Sequence, residues 1–382
     1  MNVTKFPKVR DLTTGSTSLP IESDGSAVYD LLLTVWAIVD DREAHGGFEI
    51  GPEWFGGVVE ATGESLRAEL EALGGVKGRN WLALMGMIVT APHPHDVDRM
   101  LDWLESIDAS EFRLGLLSHH CHTTGPDTTE LAEQAVRGDE SSLEKLLADS
   151  GANPGILDHF RTVFSFPQGE LRDRMMAALR RFRAEVFGQY EEDFGQTVSR
   201  AAAGSRAFIR GADPERVIEE VTNGAEYRIR PGVARLVLVP SVVLRPWAII
   251  DQHRHTLFVA YGVPDEFIDA DPDAPPSWLV KLHKALGDER RLRILRRLSE
   301  GGASLDDLTD MLDLTKSTVH HHLGLLRSAG LVRVKFDLMA GSKHYAFRPS
   351  VLPEAQRSLE SYLRVADAPD QLTAHGAVRS EG

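Results

Sequence analysis

The stretch that decides the fold of the C-terminal region is TKSTVHHHLGLLR, residues 315–327. At helical spacing, Val319, Leu323 and Leu326 share one face, so this side can pack on a core. Thr315 stands where an N-cap is expected, and the first turn would present free backbone N–H groups at the positive end of the helix dipole. The sequence therefore predicts an amphipathic helix whose polar N-terminal end suits an anion such as a phosphate.

A shorter helix is predicted directly upstream, in SLDDLTDMLDL at 304–314. Ser304 and Asp307 have the spacing of a capping box, and only residues 313–315 separate the two helices. Two helices joined by a three-residue turn, the second with a polar N-terminal edge, are typical of a helix-turn-helix. Alternating residues then predict a hairpin with strands at 332–337 and 343–348, which would form a wing carrying cationic side chains.

The whole segment resembles the ArsR-type winged-helix transcriptional regulators. The matching stretches are LGDERRLRILRRL (286–298), SLDDLTDMLDLTKSTVHHHLGLLRSAGLV (304–332) and KHYAF (343–347), and together with the wing they cover about 75 of the 382 residues. The resemblance implies a homodimer that places two recognition helices in successive major grooves of a palindromic operator. A two-fold dimer presents such helices roughly 34–36 Å apart, one turn of B-DNA. It also implies repression that an effector relieves.

The same resemblance implies which residues face double-stranded DNA. Those near bases or phosphates would come from the recognition helix, and the others would follow the backbone. The predicted DNA-binding residues are Thr315, Lys316, Ser317, Thr318, His320, His321, Arg327, Lys335, Lys343 and His344.

Charge distribution supports a DNA-facing module at the C-terminal end. Residues 277–352 contain 13 Lys and Arg against 8 Asp and Glu, a net of +5, whereas the whole chain carries −15. The remainder is therefore at −20, and DNA would repel it. A helix-turn-helix that serves only as a structural protein-interaction module remains the alternative.

The chain is long enough for more than one domain. Helical patterns follow one another from 52 to 150, Gly169–Phe194 predicts one long helix that breaks afterwards, and Ser26–Asp40 predicts a buried helix. Apolar runs at 226–230, 234–239, 242–250 and 256–261 predict a small antiparallel sheet. The expected fold is mainly α with small antiparallel β elements, comprising a helical N-terminal domain closed by a small sheet and a C-terminal winged helix-turn-helix.

The predicted domains are 1–264, an effector-sensing or dimerisation domain; 265–276, an acidic proline-rich linker; 277–352, the winged helix; and 353–382, a C-terminal helix and flexible tail. The pattern Arg235–Tyr261 and its position are similar to the large uncharacterised N-terminal domain that some ArsR-type regulators carry. That likeness implies either a body that responds to an unidentified small-molecule effector or one that forms the dimer. A single cysteine, no signal peptide and no apolar run near ~20 residues predict a cytoplasmic protein without a membrane partner.

One sequence feature supports a rival hypothesis of metal-responsive regulation. Ser118-His119-His120-Cys121-His122 offers imidazole and thiol groups suited to zinc, copper or nickel, and His93 and His95 lie upstream. Consecutive residues point in different directions, however, and no spaced ligand pair completes a tetrahedral set, which favours a solvated loop. The sequence therefore predicts no metal site and no cofactor. The nucleophile-elbow, phosphate-loop and dinucleotide motifs are absent, so no catalytic residue and no enzyme are predicted.

Overall fold

The computed structural model describes residues 19–40, 48–124, 126–149, 154–268, 275–337 and 342–363. It confirms a mainly helical protein with small β elements, a helical N-terminal region and a C-terminal helix-turn-helix region. Among the described residues, none of the helices has the combined length and apolar character that a bilayer crossing needs. The N-terminal helices are α1 (Ala27–Asp40), α2 (Pro52–Gly74), α3 (Arg79–Ile88), α4 (Val97–Ser106), α5 (Ala109–Thr124), α6 (Pro126–Val136), α7 (Glu140–Asp149), α8 (Pro154–Ser165), α9 (Glu170–Phe182), α10 (Gly188–Ile209) and α11 (Pro214–Val221).

Helix α1 lies at the centre of these helices because nearly all of its side chains are apolar. Every residue from Ala27 to Ile38 is buried, and α1 contacts α2, α3, α4 and α10. This burial confirms the interpretation of Ser26–Asp40 as a core helix. The predicted break after Phe194 is wrong, since α9 passes through a π-helical turn at Arg183–Phe187 and α10 continues to Ile209.

A four-stranded sheet lies against the helices. Its strands are β1 (Ile21–Ser23), β3 (Arg235–Ser241), β4 (Ala248–His253) and β5 (Thr256–Gly262), in the order β1-β3-β5-β4. β3 pairs in parallel with both β1 and β5, and only β4 is antiparallel to its neighbour. The sheet is therefore mixed, and the predicted purely antiparallel arrangement is wrong.

Burial on both faces accounts for the parallel pairing. Val237 and Val239 of β3 pack into the helical core, whereas Leu236 and Leu238 pack with α11 on the other face. Strands covered on both faces have continuous rather than alternating apolar runs, as is typical of parallel sheets. The predicted strand at 242–250 is shorter because residues 242–247 turn, and Pro246 has no N–H to donate to a ladder.

The C-terminal region contains α12 (Ser277–Leu286), α13 (Glu289–Glu300), β6 (Ala303–Ser304), α14 (Leu305–Leu312), α15 (Lys316–Ser328), β7 (Val332–Asp337), β8 (Ser342–Phe347) and α16 (Val351–Tyr362). These elements share one apolar core, which is separate from that of the N-terminal helices. β7 and β8 pair antiparallel, as the hairpin pattern predicted. Of the predicted linker, residues 265–267 form a 3₁₀ turn and 269–274 lie outside the described residues.

The histidine-rich stretch at 118–122 lies in a helix rather than in the predicted loop, because α5 runs from Ala109 to Thr124. Ser118 is buried, and its hydroxyl accepts a hydrogen bond from the backbone N–H of Arg254 at 3.3 Å. The side chains of His119, His120, Cys121 and His122 lie outside the described residues.

A buried carboxylate joins α1 to the segment after β3. Asp30 is fully buried and accepts hydrogen bonds from the Ser241 hydroxyl and from the backbone N–H groups of Val242 and Val243, the last two at 3.2 Å. Burial raises the pKa of Asp30 to about 6, although these three donors act in the opposite direction. The Asp30 carboxylate thus fixes the turn at the end of β3, although burying its negative charge costs free energy.

We expect Asp30 to make stability fall as the pH rises from about 4 to about 6. The folded state keeps the proton on Asp30 up to a higher pH than the unfolded chain does. The resulting stabilisation is complete below the pKa of the unfolded state, and it is lost as the pH rises through the pKa of the folded state. The difference corresponds to about 3 kcal/mol. Urea titrations at pH 4.5 and 7 should show a smaller loss for Asp30→Asn than for the wild type. Asp193→Asn, at an exposed aspartate of α10, is the control and should keep the wild-type loss.

Candidate DNA-binding interface

Two capped helices and a tight turn build the helix-turn-helix. Ser304 and Asp307 form the predicted capping box, with the Ser304 hydroxyl accepting from the Asp307 N–H at 3.1 Å and the Asp307 carboxylate accepting from the Ser304 N–H at 2.8 Å. Asp313 then adopts a left-handed conformation (φ 53°), which ends α14 and turns the chain. Thr315 caps α15 by accepting from the Thr318 N–H at 3.3 Å.

The apolar stripe of α15 faces the C-terminal core, and its polar end faces solvent. Val319, Leu323 and Leu326 are buried, as their spacing predicted. The other face presents side chains of the predicted DNA-binding set: Thr315, Lys316, Ser317, His320 and His321 are exposed, and Thr318 is half-buried. The structure thus brings six predicted residues together on the N-terminal part of one helix.

Lys316 is held in an ion pair within the motif. Its Nζ lies 2.6 Å from a carboxylate oxygen of Asp306 in α14, and this hydrogen bond raises the pKa of Lys316. Both side chains are about two-thirds exposed, so solvent screens the pair and it is easily broken. A phosphate oxygen approaching the end of α15 could therefore replace the carboxylate as the partner of this cation.

The wing places three predicted residues on two paired strands. Lys335 of β7 lies opposite His344 of β8, and Lys343 lies opposite Phe336. His344 is exposed. The side chains of Lys335 and Lys343 and the tip at 338–341 lie outside the described residues.

Similarity to known proteins agrees with this geometry. The family described as "Helix-turn-helix domain" matches residues 286–335. The chain is 33% identical over 105 residues to the HTH-type transcriptional regulator CmtR of Mycobacterium tuberculosis, and the match covers 87% of that protein and 28% of this chain. This chain belongs to the HTH-type transcriptional regulators. It is also 41% identical over 56 residues to the transcriptional activator HlyU of Vibrio cholerae, covering 52% of that protein and 15% of this chain.

Arg327 stands apart from the other predicted residues of this HTH regulator. It lies at the C-terminal end of α15, and its guanidinium carbon is 5.5 Å from the centre of the Trp247 ring, which belongs to the N-terminal domain. Burial lowers the pKa of Arg327. The structure therefore places Arg327 at a contact between domains, at the opposite end of α15 from Lys316.

A short strand, β2, joins the two domains through a pairing that the sequence pattern did not predict. β2 is only Ala225–Glu226, and it pairs in parallel with β7 of the wing, so the C-terminal sheet has the order β2-β7-β8-β6. Gly224 carries φ 100°, and a Cβ there would lie 3.0 Å from a side-chain carbon of Arg333, so glycine suits this approach. The guanidinium of Arg333 lies 3.0 Å from Glu219 and 3.9 Å from Glu226. The predicted strand at 226–230 is therefore wrong in its bounds and in its sheet, because residues 227–230 are not in a strand and β2 pairs with the wing rather than with the N-terminal sheet.

A second junction consists of charged groups around Glu49. The Glu49 carboxylate accepts from the Arg245 guanidinium at 2.9 Å and also pairs with Lys281 of α12. Arg245 pairs in turn with Asp265, whose other carboxylate oxygen accepts from the backbone N–H of Trp278 at 3.0 Å. Lys281 and Trp278 belong to the winged helix, so this network connects the start of that unit to the N-terminal domain. The two domains therefore meet at the wing, at the end of α15 and at α12.

His322 lies on the buried side of the recognition helix. It is 7% exposed, and neither ring nitrogen has a hydrogen-bond partner among the described residues. Burial lowers the pKa of His322, with Arg291 and His321 acting in the same direction and Asp288 opposing them. The folded winged helix therefore favours the neutral ring.

We expect acidification to destabilise the winged helix through His322. The unfolded chain binds this proton at higher pH than the folded one, so stability falls as the pH drops through about 6.5. His322→Leu should reduce the loss of stability between pH 7.5 and 5.5, and should cost little at pH 7.5 because no hydrogen bond is removed. Urea unfolding of both proteins measures the difference. His320→Leu changes an exposed neighbour, and an equal reduction there would contradict the assignment.

Proposed function

We propose that this regulator is an ArsR-type repressor that binds a palindromic operator as a homodimer in the cytoplasm, and that its N-terminal domain modulates the affinity. The main support for the proposal is that the two ends of α15 lie in different environments. Its polar end, from Thr315 to His321, is exposed, whereas its other end contacts Trp247 of the N-terminal domain. DNA and the N-terminal domain would thus act on one rigid helix.

The exposed end of α15 has the chemistry that duplex DNA requires. By helix geometry the first N–H groups have no partner within the helix, and they lie at the positive end of the dipole beside the Lys316 ammonium. Serine, threonine and histidine side chains can donate to base edges in the major groove or to phosphates. The net charge of +5 on residues 277–352 would attract DNA to the winged helix. The net charge of −20 on the rest of the chain would repel DNA from the N-terminal domain.

The docking of the wing on the N-terminal domain supports the proposed modulation. β7 is paired on one side with β8 and on the other with β2, so the wing cannot turn relative to the N-terminal domain without breaking the β2–β7 ladder. An effector that favours one domain arrangement would change the orientation of α15 and hence the operator affinity. The coupling needs only about 1–3 kcal/mol, which corresponds to a 5- to 150-fold change.

Selection of genomic fragments with the purified chain, read at two salt concentrations, tests the proposal. We expect an inverted repeat with half-sites one helical turn apart and steep salt dependence. On the selected fragment, Lys316→Ala should lower the slope of log affinity against log salt by about 1, because one phosphate contact is lost. Lys145→Ala, at an exposed lysine of α7, should leave the slope unchanged.

His321→Ala should relax the preference at one base position, because the loss of a base contact costs about 1–3 kcal/mol of discrimination. Binding that stays at wild-type strength when Lys316, His320 and His321 are each replaced by alanine would contradict the assigned interface. Such a result would favour the protein-interaction module, in which the winged helix is structural only.

We expect Glu219→Ala to weaken operator binding about 2- to 5-fold, because the partly exposed pair with Arg333 contributes up to about 1 kcal/mol to docking of the wing. Fluorescence anisotropy on the selected fragment measures the change. Glu220→Ala is the matched control, since the neighbouring carboxylate is exposed and should not alter affinity. Equal operator affinities of the two variants would show that the Glu219–Arg333 ion pair has no effect on DNA binding by α15.

A further inference from the structure

Three side chains of types that can ligate a metal ion lie together in the lining of a cleft in the N-terminal domain. The cleft has a volume of about 1510 Å³ and is lined by β1, the segment after α3 and the helices α9 and α10. Asp24 follows β1, and His93 and His95 precede α4. One carboxylate oxygen of Asp24 and one ring nitrogen of each histidine lie within 4.8 Å of one another.

The hydrogen bonds of His95 place a lone pair opposite the carboxylate. Its Nε2 lies 3.0 Å from the carbonyl oxygen of Ala91, which can only accept, so Nε2 carries a hydrogen. Its Nδ1 lies 2.5 Å from the Asp24 carboxylate. On a neutral ring, Nδ1 and the carboxylate oxygen would point lone pairs at each other. The Tyr29 hydroxyl lies 3.3 Å from Nδ1 but donates to Asp24, so a proton or a metal ion between Nδ1 and the carboxylate would neutralise this contact.

His93 supplies a second imidazole at the same place. Its ring stacks on that of His95 with centroids 3.9 Å apart and an angle of 21° between the planes. His95 is 4% exposed, whereas His93 is exposed and faces the cleft. A proton would engage only Asp24 and His95, whereas a metal ion would engage all three groups.

Neighbouring groups hold the ligands in the way that outer-shell partners hold a metal site. The buried Tyr29 hydroxyl donates to the Asp24 carboxylate, and the Ser26 hydroxyl donates to the carbonyl of His95. Metal-ligating histidines commonly donate their second nitrogen to a backbone carbonyl, as His95 does to Ala91. Arg235 brings positive charge nearby, but Glu22 pairs with it at 3.2 Å.

We propose that Asp24, His93 and His95 form a binding site for a divalent transition-metal ion of the zinc class, with its remaining coordination position open to the cleft. Two imidazole nitrogens and one carboxylate oxygen suit zinc, iron or nickel, whereas calcium and magnesium prefer oxygen ligands. Three protein ligands with an open position are the pattern of sites that accept an exogenous ligand.

Titration of the chelator-treated full-length chain with Zn²⁺ in a calorimeter tests the site, and Co²⁺ provides an absorption spectrum that reports coordination. We expect one ion per chain in the wild type. His93→Ala should weaken binding more than about 100-fold, beyond the 10- to 100-fold loss typical of an outer-shell change. His283→Ala, at an exposed histidine of α12, is the control and should bind as the wild type does.

Tyr29→Phe tests the same site through a nearly isosteric change that keeps the core filled. Loss of the hydroxyl that holds Asp24 should weaken Co²⁺ binding by about 10-fold or more and shift its absorption bands. Two results would overturn the proposal. One is a wild-type chain that takes up no Zn²⁺, in which case a proton neutralises the pair. The other is binding that persists in His93→Ala and disappears in Cys121→Ser, which would assign the ion to α5.

Discussion

Backbone pairing between β2 and β7 is the constraint on which the arrangement of this molecule depends. The pairing involves only Ala225 and Glu226, and the N–H of Val334 also donates to the Gly224 carbonyl at 3.3 Å. A ladder of two residues contributes little stability by itself. Its pairing nevertheless fixes both the direction of β7 relative to β2 and the distance between the two strands. The wing, and through the common core the recognition helix, therefore takes its orientation from the N-terminal domain. The ion pair between Arg333 and Glu219 sits beside the ladder and strengthens it.

The contacts between the domains are individually modest. A cation over an aromatic ring, such as Arg327 over Trp247, contributes about 0.5–2 kcal/mol. Partly exposed ion pairs contribute up to about 1 kcal/mol each. Contacts of this size hold one arrangement without preventing another, because a ligand with a few kcal/mol of differential affinity can shift the balance. Such a junction is compatible with the proposed modulation of DNA binding by the N-terminal domain.

Sequence reasoning succeeded where the signal was local. The capping box at Ser304, the N-cap at Thr315 and the buried stripe through Val319 depend on neighbours within a few residues, and the structure confirms all three. The parallel pairing of β3 with β1 and β5 was missed although the sequence carried a signal for it. LVLVP and TLFVAY are continuous rather than alternating, which indicates strands covered on both faces.

Other features could not be read from the sequence because they join distant segments. Asp24 meets His95 across about 70 residues, so spacing alone could not add a carboxylate to the two histidines. Arg327 had the helical position of a DNA contact, and only the packing of Trp247 against it showed a different environment. For Lys335 and Lys343, the structure shows the strand positions alone, and their contact with DNA stays a prediction.

The order in which the chain is synthesised affects how β2 and β7 come to pair. β2 leaves the ribosome about a hundred residues before β7, so its backbone is already available for pairing when the wing emerges. A C-terminal fragment released by a protease would lack this cover. The exposed edge of β7 could then pair with a strand of another molecule, and such fragments would tend to aggregate.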